Sequence, residues 1–132
     1  MKDRWNVLVV DDSKFTHRLT GQFLDGTEFE IVGDAFDGVE GLNLYQQLRP
    51  DFVLLDIVMP ERNGLATLID IMAVDDQARV MMLSSMGTGD MIEKCLAEGA
   101  TTFLQKPFEK NTLINHLRNL AGQRDSRMSG RS

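Results

Sequence analysis

The sequence predicts an α/β domain in which a parallel β-sheet is covered by helices on both faces. Short runs of β-branched and apolar residues alternate with stretches whose apolar residues have helical spacing, a pattern typical of βαβ units. Two of the short runs, Val7–Val10 and Val53–Leu55, are apolar at every position, as strands buried on both faces require. With 42% hydrophobic and 26% charged residues, the composition is that of an ordinary globular domain.

Five runs have the composition of strands, and the segments between and after them have helical character. The strands are expected at Trp5–Val10, Glu30–Ala35, Phe52–Leu55, Arg79–Ser84 and Thr102–Gln105. One helical face is formed by Leu65, Leu68, Ile69 and Met72, and another by Leu113, Leu117 and Leu120. The pattern therefore predicts five strands that alternate with five helices.

Two acidic pairs indicate where helices begin. Asp37 is followed three residues later by Glu40, and Asp90 is followed in the same way by Glu93. This spacing is typical of a capping box, in which the two side chains accept hydrogen bonds from backbone N–H groups of the first helical turn. The sequence therefore predicts that helices start next to Asp37 and Asp90.

Size, charge and cysteine content limit the possible functions. The 132 residues suit one domain, expected over residues 1–121, followed by a polar, disordered tail over residues 122–132. The net charge of −6 argues against general nucleic-acid binding, and no apolar run approaches the roughly 18–20 residues of a membrane span. A single cysteine, Cys95, and an N-terminus without an apolar leader predict a cytoplasmic protein.

Polar and charged residues occur where the predicted strands end. Asp11 and Asp12 follow the first strand, Asp56 follows the third, Ser84 ends the fourth, and Lys106 follows the fifth. Because parallel strands share one carboxyl edge, these side chains are expected to meet at one rim. Two carboxylates ~4 Å apart repel by about 4 kcal/mol at an effective dielectric near 20, so the cluster needs a cation.

The chemistry of this rim favours Mg²⁺ together with a phosphoryl group. Oxygen ligands at a partly open site suit Mg²⁺ or Ca²⁺, and a site with few protein ligands favours Mg²⁺ with a phosphate as co-ligand. The Lys106 ammonium and the Ser84 hydroxyl would supply the remaining positive field that phosphoryl transfer requires. The combination predicts a phosphoryl-accepting site rather than a set of unrelated turn residues.

Four motifs resemble those of the receiver domains of bacterial two-component response regulators. They are Val9–Ser13, Leu55–Gly64, Met82–Ser85 and Lys106–Phe108, and they occur in the family's order within a resemblance that covers about residues 5–121. The resemblance implies a flavodoxin-like fold with a five-stranded parallel sheet in the order 2-1-3-4-5. It also implies a signalling domain rather than an enzyme, with only self-phosphorylation from phosphodonors and slow self-dephosphorylation.

The resemblance assigns the metal and the acceptor to the aspartates. Asp56 is expected to be the phospho-acceptor. Asp12 and Asp56 are expected to bind Mg²⁺ together with the backbone carbonyl of Val58, while Asp11 acts mainly through water. Mn²⁺ is expected to substitute for Mg²⁺.

The resemblance also assigns a conformational switch. Lys106 is expected to pair with the phosphoryl oxygens, and Ser84 to donate a hydrogen bond to them. Phe103 has the family's aromatic switch position, so its ring is expected to turn inward when Ser84 moves. That movement would alter the face made by helix 4, strand 5 and helix 5. The alternative for Phe103 is a static core aromatic.

By the resemblance, two further positions border the expected path of a hydrolytic water. A glycine is also expected to shape the acceptor loop. Val58 and Met86 lie two residues after the acceptor and two after the Ser84 hydroxyl, respectively. Neither side chain can orient a water, which predicts slow self-dephosphorylation. Gly64 is expected to have a positive φ where the chain turns into the third helix.

The expected partners follow from the family resemblance. They are a sensor histidine kinase or histidine phosphotransfer protein as phosphoryl donor, and a downstream protein target. The pathways that this implies include chemotaxis and motility. Membrane insertion is not expected. Direct DNA binding is not expected either, because residues 122–132 leave no room for a helix-turn-helix region. The oligomeric alternatives are a monomer or a phosphorylation-dependent dimer.

The sequence leaves three alternatives to this interpretation. They are a receiver fragment of a longer transcription regulator, a receiver-like module that is never phosphorylated, and a haloacid-dehalogenase-type phosphatase. The phosphatase requires an acid where Ser13 stands and an acidic pair after the lysine, where Glu109 is the only acid before the tail. His17 and His116 are both interpreted as solvated helix-surface histidines rather than phospho-relay residues.

Overall fold

The computed structural model of the chain describes residues 4–60, 62–85 and 87–129, with side chains through residue 123. In these ranges five strands alternate with five helices. The strands are β1 (Trp5–Val10), β2 (Phe29–Ala35), β3 (Phe52–Asp56), β4 (Val80–Ser84) and β5 (Thr102–Gln105). The helices are α1 (Lys14–Leu24), α2 (Gly38–Leu48), α3 (Gly64–Val74), α4 (Gly89–Ala97) and α5 (Lys110–Ser129).

All five strands form one parallel sheet in the order β2-β1-β3-β4-β5. This is the order that the sequence resemblance implied, and every strand begins and ends within one residue of its predicted bounds. The order reverses direction between β1 and β3, since the chain first builds outward through β2 and then through β4 and β5. Parallel α/β sheets bind ligands at the carboxyl ends of the strands near this reversal.

The sheet separates two hydrophobic cores. Alternate residues of β1 enter different cores: Val7 and Val9 pack with α1 and α5, whereas Leu8 and Val10 pack with α2, α3 and α4. All four side chains are fully buried. The continuous apolar runs in the sequence therefore belong to strands that are covered on both faces, as predicted.

One predicted capping box is confirmed and the other is wrong. The Asp37 side chain accepts a hydrogen bond from the N–H of Glu40, while the Glu40 carboxylate accepts one from the N–H of Phe36. In α4 the N-cap is Thr88, and the helix begins before Asp90. The Thr88 hydroxyl donates to the carbonyl of Ser85, which closes the turn and lets the helix start early.

Helix α5 extends further than the sequence predicted. It continues through Ser129, so residues 122–129 are helical where a disordered tail was expected. The buried first half of α5 supplies the costly helix nucleus, and the Gln, Arg and Met residues that follow are good helix formers. Residues 130–132 of the predicted tail lie outside the described residues. Across the described ranges, no helix is both long and apolar enough to cross a membrane.

Candidate functional site

The parallel sheet brings the predicted site residues to one rim. Asp56 is the last residue of β3 and pairs in register with Leu83, the residue before Ser84 on β4. Ser84 pairs with Gln105 on β5, and Lys106 follows directly. The N–H of Lys106 donates to the carbonyl of Ser84 over 2.7 Å. Side chains that are far apart in the sequence are therefore one strand spacing apart in space.

Three carboxylates form the centre of this rim. One oxygen from each of Asp11, Asp12 and Asp56 lies within 4.8 Å of the others. Asp11 and Asp56 are buried, whereas Asp12 is exposed. Such a cluster of hard oxygen donors, closed on one side and open to solvent on the other, fits Mg²⁺, which keeps several waters when it binds.

The ammonium of Lys106 lies against this cluster. Its Nζ is 2.6 Å from Oδ2 of Asp11 and 3.4 Å from Oδ2 of Asp56. The shorter contact is a hydrogen bond from Lys106 to a fully buried carboxylate. One ammonium does not neutralise three carboxylates, so the rim retains an excess of negative charge.

The surroundings of Asp56 disfavour its ionised form. Its burial, and then the neighbouring charge of Asp11, raise the pKa of Asp56 from 3.8 to about 6. The Lys106 charge and a 3.3 Å hydrogen bond from the N–H of Val58 favour the ionised form but offset only part of the shift. The acceptor carboxylate is thus held in an environment that a cation would stabilise.

A glycine allows the loop after β3 to fold back against the acceptor. The N–H of Gly64 donates to the carbonyl of Ile57 over 2.8 Å, and Asn63 caps the helix by accepting from the N–H of Ala66 over 2.9 Å. A Cβ at Gly64 would collide with the backbone carbonyl of Asp56. The expected positive φ at Gly64 was wrong, because the glycines with a positive φ in the described ranges are Gly26, Gly87 and Gly99. Close backbone approach is the reason for glycine here.

Of the two positions predicted to set the phosphoryl lifetime, Val58 lies within the described residues and Met86 does not. Val58 follows Ile57 beside the acceptor and is 55% exposed, so its apolar side chain lies at the solvent-facing edge of the rim. Met86 lies outside the described residues.

Phe103 lies on the sheet edge rather than in the core. It pairs in register with Met82 and is 41% exposed, which excludes the static core aromatic in this conformation. It lines a surface groove of about 520 Å³ together with Pro107, Phe108 and His116, among others. Its register partner Met82 belongs to the core that packs with α2, α3 and α4, so the ring leaves the sheet on that face, at the β5 edge.

The two histidines differ from each other, and the sequence interpretation was wrong for one of them. His116 is half-buried on α5, and its Nδ1 contacts the carbonyl of Thr112 on the same helix. His17 is buried, with its ring between Asp34 and the backbone of Asp11. The sequence carried one signal for this: His17 lies one helical turn after the N-cap Ser13, so it can reach back over the rim.

Comparison with known protein families agrees with the fold. The family model described as "Response regulator receiver domain" matches residues 7–118. The chain therefore belongs to the response regulator receiver family, the signalling domains of two-component systems.

The relatives include chemotaxis proteins and a receiver domain of another regulator. The chain is 37% identical to the chemotaxis protein CheY of Listeria monocytogenes over 115 residues, which cover 87% of this chain and 97% of the relative. It is 36% identical to a chain of the CheX–CheY–BeF₃–Mg²⁺ complex from Borrelia burgdorferi, with a TM-score of 0.83 and coverage of 88% of each chain. A receiver domain from Vibrio parahaemolyticus, 22% identical, has the same fold, with a TM-score of 0.88 and 98% coverage of both chains.

Proposed function

We propose that this receiver takes a phosphoryl group on Asp56 and responds by changing the face formed by α4, β5 and α5. The observation that carries the proposal is the convergence of three carboxylates within 4.8 Å beside a lysine ammonium. A carboxylate at a strand end whose pKa is raised to about 6, mainly by burial and then by a neighbouring carboxylate, is typical of a functional site.

Asp11, Asp12 and Asp56 would hold Mg²⁺ together with the backbone carbonyl of Val58, with Mn²⁺ as a substitute. Bound there, the metal would supply the positive charge that lets carboxylate and phosphoryl oxygens approach one another. Among these residues Asp12 has the open side of the cluster, whereas Asp11 is already engaged by Lys106. This difference supports a direct role for Asp12 and a more indirect one for Asp11.

Asp56 would act as the nucleophile. A carboxylate oxygen attacks phosphorus of a donor phosphohistidine; the new P–O bond forms as the P–N bond breaks, and the departing imidazole takes a proton. With a pKa of about 6, Asp56 is largely ionised at neutral pH. Lys106 would pair with the transferred phosphoryl oxygens, and Ser84 would donate to them.

The response would run from the rim to the surface through β4 and β5. Ser84 is buried at the end of β4 and is joined to Lys106 by a backbone hydrogen bond. Phe103 lies on β5 with space beside it in a groove of about 520 Å³. Movement of Ser84 toward the phosphoryl group would free room for the Phe103 ring to turn inward.

The expected partners are a sensor histidine kinase or histidine phosphotransfer protein and a downstream protein that reads the altered face. A cytoplasmic location suits the free, buried thiol of Cys95. Relatives named chemotaxis protein CheY make chemotaxis the first pathway to test. The active form would be a monomer or a phosphorylation-dependent dimer.

Labelling with a small phosphodonor tests the acceptor and the metal together. The wild type should be labelled only with Mg²⁺ or Mn²⁺, and Asp12→Ala should lose most of the label because one direct ligand is missing. Equal labelling in excess chelator would refute the metal role. A folded wild type that no donor labels would favour the unphosphorylated interaction module.

A phosphotransfer profile against the purified histidine kinases of the host identifies the donor, and motility of a deletion strain tests the pathway. Lys106→Ala and Ser84→Ala separate labelling from switching: both should accept label yet fail to bind the target normally. If both bind it like the phosphorylated wild type, the switch assignment is wrong.

A further inference from the structure

The buried ring of His17 on α1 contacts the turn that carries Asp11 and Asp12. The phosphoryl transfer proposed above assigns this ring no role. Its side chain is 8% exposed. Nε2 lies 2.7 Å from the backbone oxygen of Asp11, and Nδ1 lies 2.6 Å from Oδ1 of Asp34 on β2. The ring also stacks on Phe36, with the centroids 4.2 Å apart. One imidazole therefore joins β1, α1 and β2.

Helix geometry explains why this residue reaches the rim. The side chain of Ser13 caps α1 by accepting from the N–H of Thr16, which fixes the direction in which the helix leaves the turn. Side chains in a helix tilt toward its N-terminus, so a residue one turn after the cap covers the turn itself. His17 has this position, and the β1–α1 turn lies beneath it.

Asp11 is held at every polar group of its backbone and side chain. Its N–H donates to the carbonyl of Ala35 over 3.0 Å. Its carboxylate accepts from the N–H of Ser13 over 2.8 Å and from Lys106 over 2.6 Å. The contact with His17 fixes the remaining group, the carbonyl oxygen.

The Asp11 carbonyl belongs to the same planar peptide group as the N–H of Asp12. Fixing that oxygen fixes the plane from which Asp12 extends. Asp12 is exposed, so burial and packing do little to orient its carboxylate. Its direction depends on the backbone that carries it.

We infer that His17 is a positioning residue of the cation site: by holding the Asp11 carbonyl against β2 through Asp34, it presents Asp12 in the orientation that binds Mg²⁺. This inference rests on the proposed function, since it concerns the same metal. Both partners of the ring, a carboxylate and a carbonyl oxygen, accept hydrogen bonds. The imidazole ring has a nitrogen next to each of them, whereas an apolar ring of similar size has no hydrogen-bonding group for either.

The test is Mg²⁺ binding measured by calorimetry on the full chain, at a temperature where every variant is folded. His17→Phe keeps a ring for the stack on Phe36 but removes both hydrogen bonds. It should weaken Mg²⁺ binding about tenfold, the effect typical of losing a group that orients a metal ligand. His17→Gln, which retains one donor, should lose less and serves if the phenylalanine variant does not fold.

The matched control is His116→Phe, because His116 is a half-buried histidine whose ring nitrogen contacts a carbonyl of its own helix, that of Thr112, rather than one at the rim. It should bind Mg²⁺ like the wild type. Phosphodonor labelling adds a second readout: His17→Phe should be slow at limiting Mg²⁺ and close to wild type at saturation.

The outcomes separate the two hypotheses. If folded His17 variants have a lower thermal midpoint but bind Mg²⁺ with wild-type affinity, His17 only stabilises the fold and the inference is overturned. If the wild type itself binds no Mg²⁺, the proposed metal site fails and the inference falls with it. Weaker binding in His17→Phe beside unchanged binding in His116→Phe supports it.

Discussion

Asp51 and Asp56 stand at opposite ends of strand β3 and are equally buried, with exposed fractions of 6% and 5%. Asp51 is part of a reciprocal pair: its carboxylate accepts from the N–H of Asn6 over 2.7 Å, and its own N–H donates to the carbonyl of Asn6. Asp56 accepts a longer bond, 3.3 Å, from Val58 and faces a second buried carboxylate, Asp11.

The comparison teaches that burial alone does not make a reactive aspartate. At the Asp51 end, backbone groups stabilise the charge and join β1 to β3. At the Asp56 end, burial and then the neighbouring charge of Asp11 raise the pKa of the carboxyl group. Reactivity arises where the fold leaves an electrostatic conflict that an incoming cation and phosphoryl group resolve.

The largest expected effect is on phosphorylation. Asp56→Asn should abolish acid-labile label from a small phosphodonor, because the amide retains the size of the side chain but not its nucleophile. Asp51→Asn, the same change at the other end of the strand, should leave labelling intact. Undiminished label in Asp56→Asn, measured by mass spectrometry after phosphodonor treatment, would place the acceptor elsewhere.

Gly64→Ala should destabilise the structure around Asp56 while leaving every charged side chain in place. Its Cβ would collide with the Asp56 carbonyl, so the loop must shift at a cost of about 3 kcal/mol. Gly89→Ala is the matched control: it is also a glycine at the start of a helix, and its added Cβ meets nothing within 4 Å. Urea unfolding of both variants measures the difference; equal stabilities would contradict the steric account.

The two aspartates should have opposite effects on stability. The raised pKa of Asp56 means that, between about pH 4 and pH 6, the folded protein binds more protons than the unfolded one. The free energy of unfolding should therefore fall as pH rises through this window. Without divalent cations, Asp56→Asn should be more stable than wild type by about 1–3 kcal/mol at pH 8, with the gain vanishing near pH 4.

Asp51→Asn should change stability in the opposite direction. It weakens the charge-assisted hydrogen bond from the N–H of Asn6 and should lower the free energy of unfolding by about 1 kcal/mol. Denaturant unfolding of both variants at pH 4 and pH 8 measures the contrast. Loss of stability in Asp56→Asn at pH 8 would show that the carboxylate is not under electrostatic conflict.

The smallest expected effect concerns how long the label lasts. The exposed Val58 side chain cannot orient a hydrolytic water, and Met86 is equally apolar. Introducing polar groups with Val58→Asn and Met86→Glu should speed loss of label about tenfold, equivalent to about 1.4 kcal/mol in the barrier. Label remaining on purified protein is followed over time; unchanged decay in the double variant means that these side chains do not set the lifetime.

The sequence predicted the sheet well because its signals are local. Strands with apolar residues at every position and helices with one apolar face can each be recognised from neighbouring residues. The early start of α4 at Gly89, ahead of Asp90, was missed because the turn that decides it depends on a hydroxyl contact from Thr88 back to Ser85. The helical continuation of α5 depends on a nucleus that tertiary packing stabilises.

By itself, the sequence determined which residues end the strands, and with them the carboxylate cluster and Lys106, because a parallel sheet has one carboxyl edge whatever its details. Only the tertiary structure decided what surrounds them. His17 has the spacing of a surface residue on α1, yet Asp34 from another strand and the Asp11 carbonyl enclose it. Gly64 is required by the nearness of a backbone that lies eight residues earlier. Such contacts join segments that are separate in the chain, so the local pattern does not specify which groups meet.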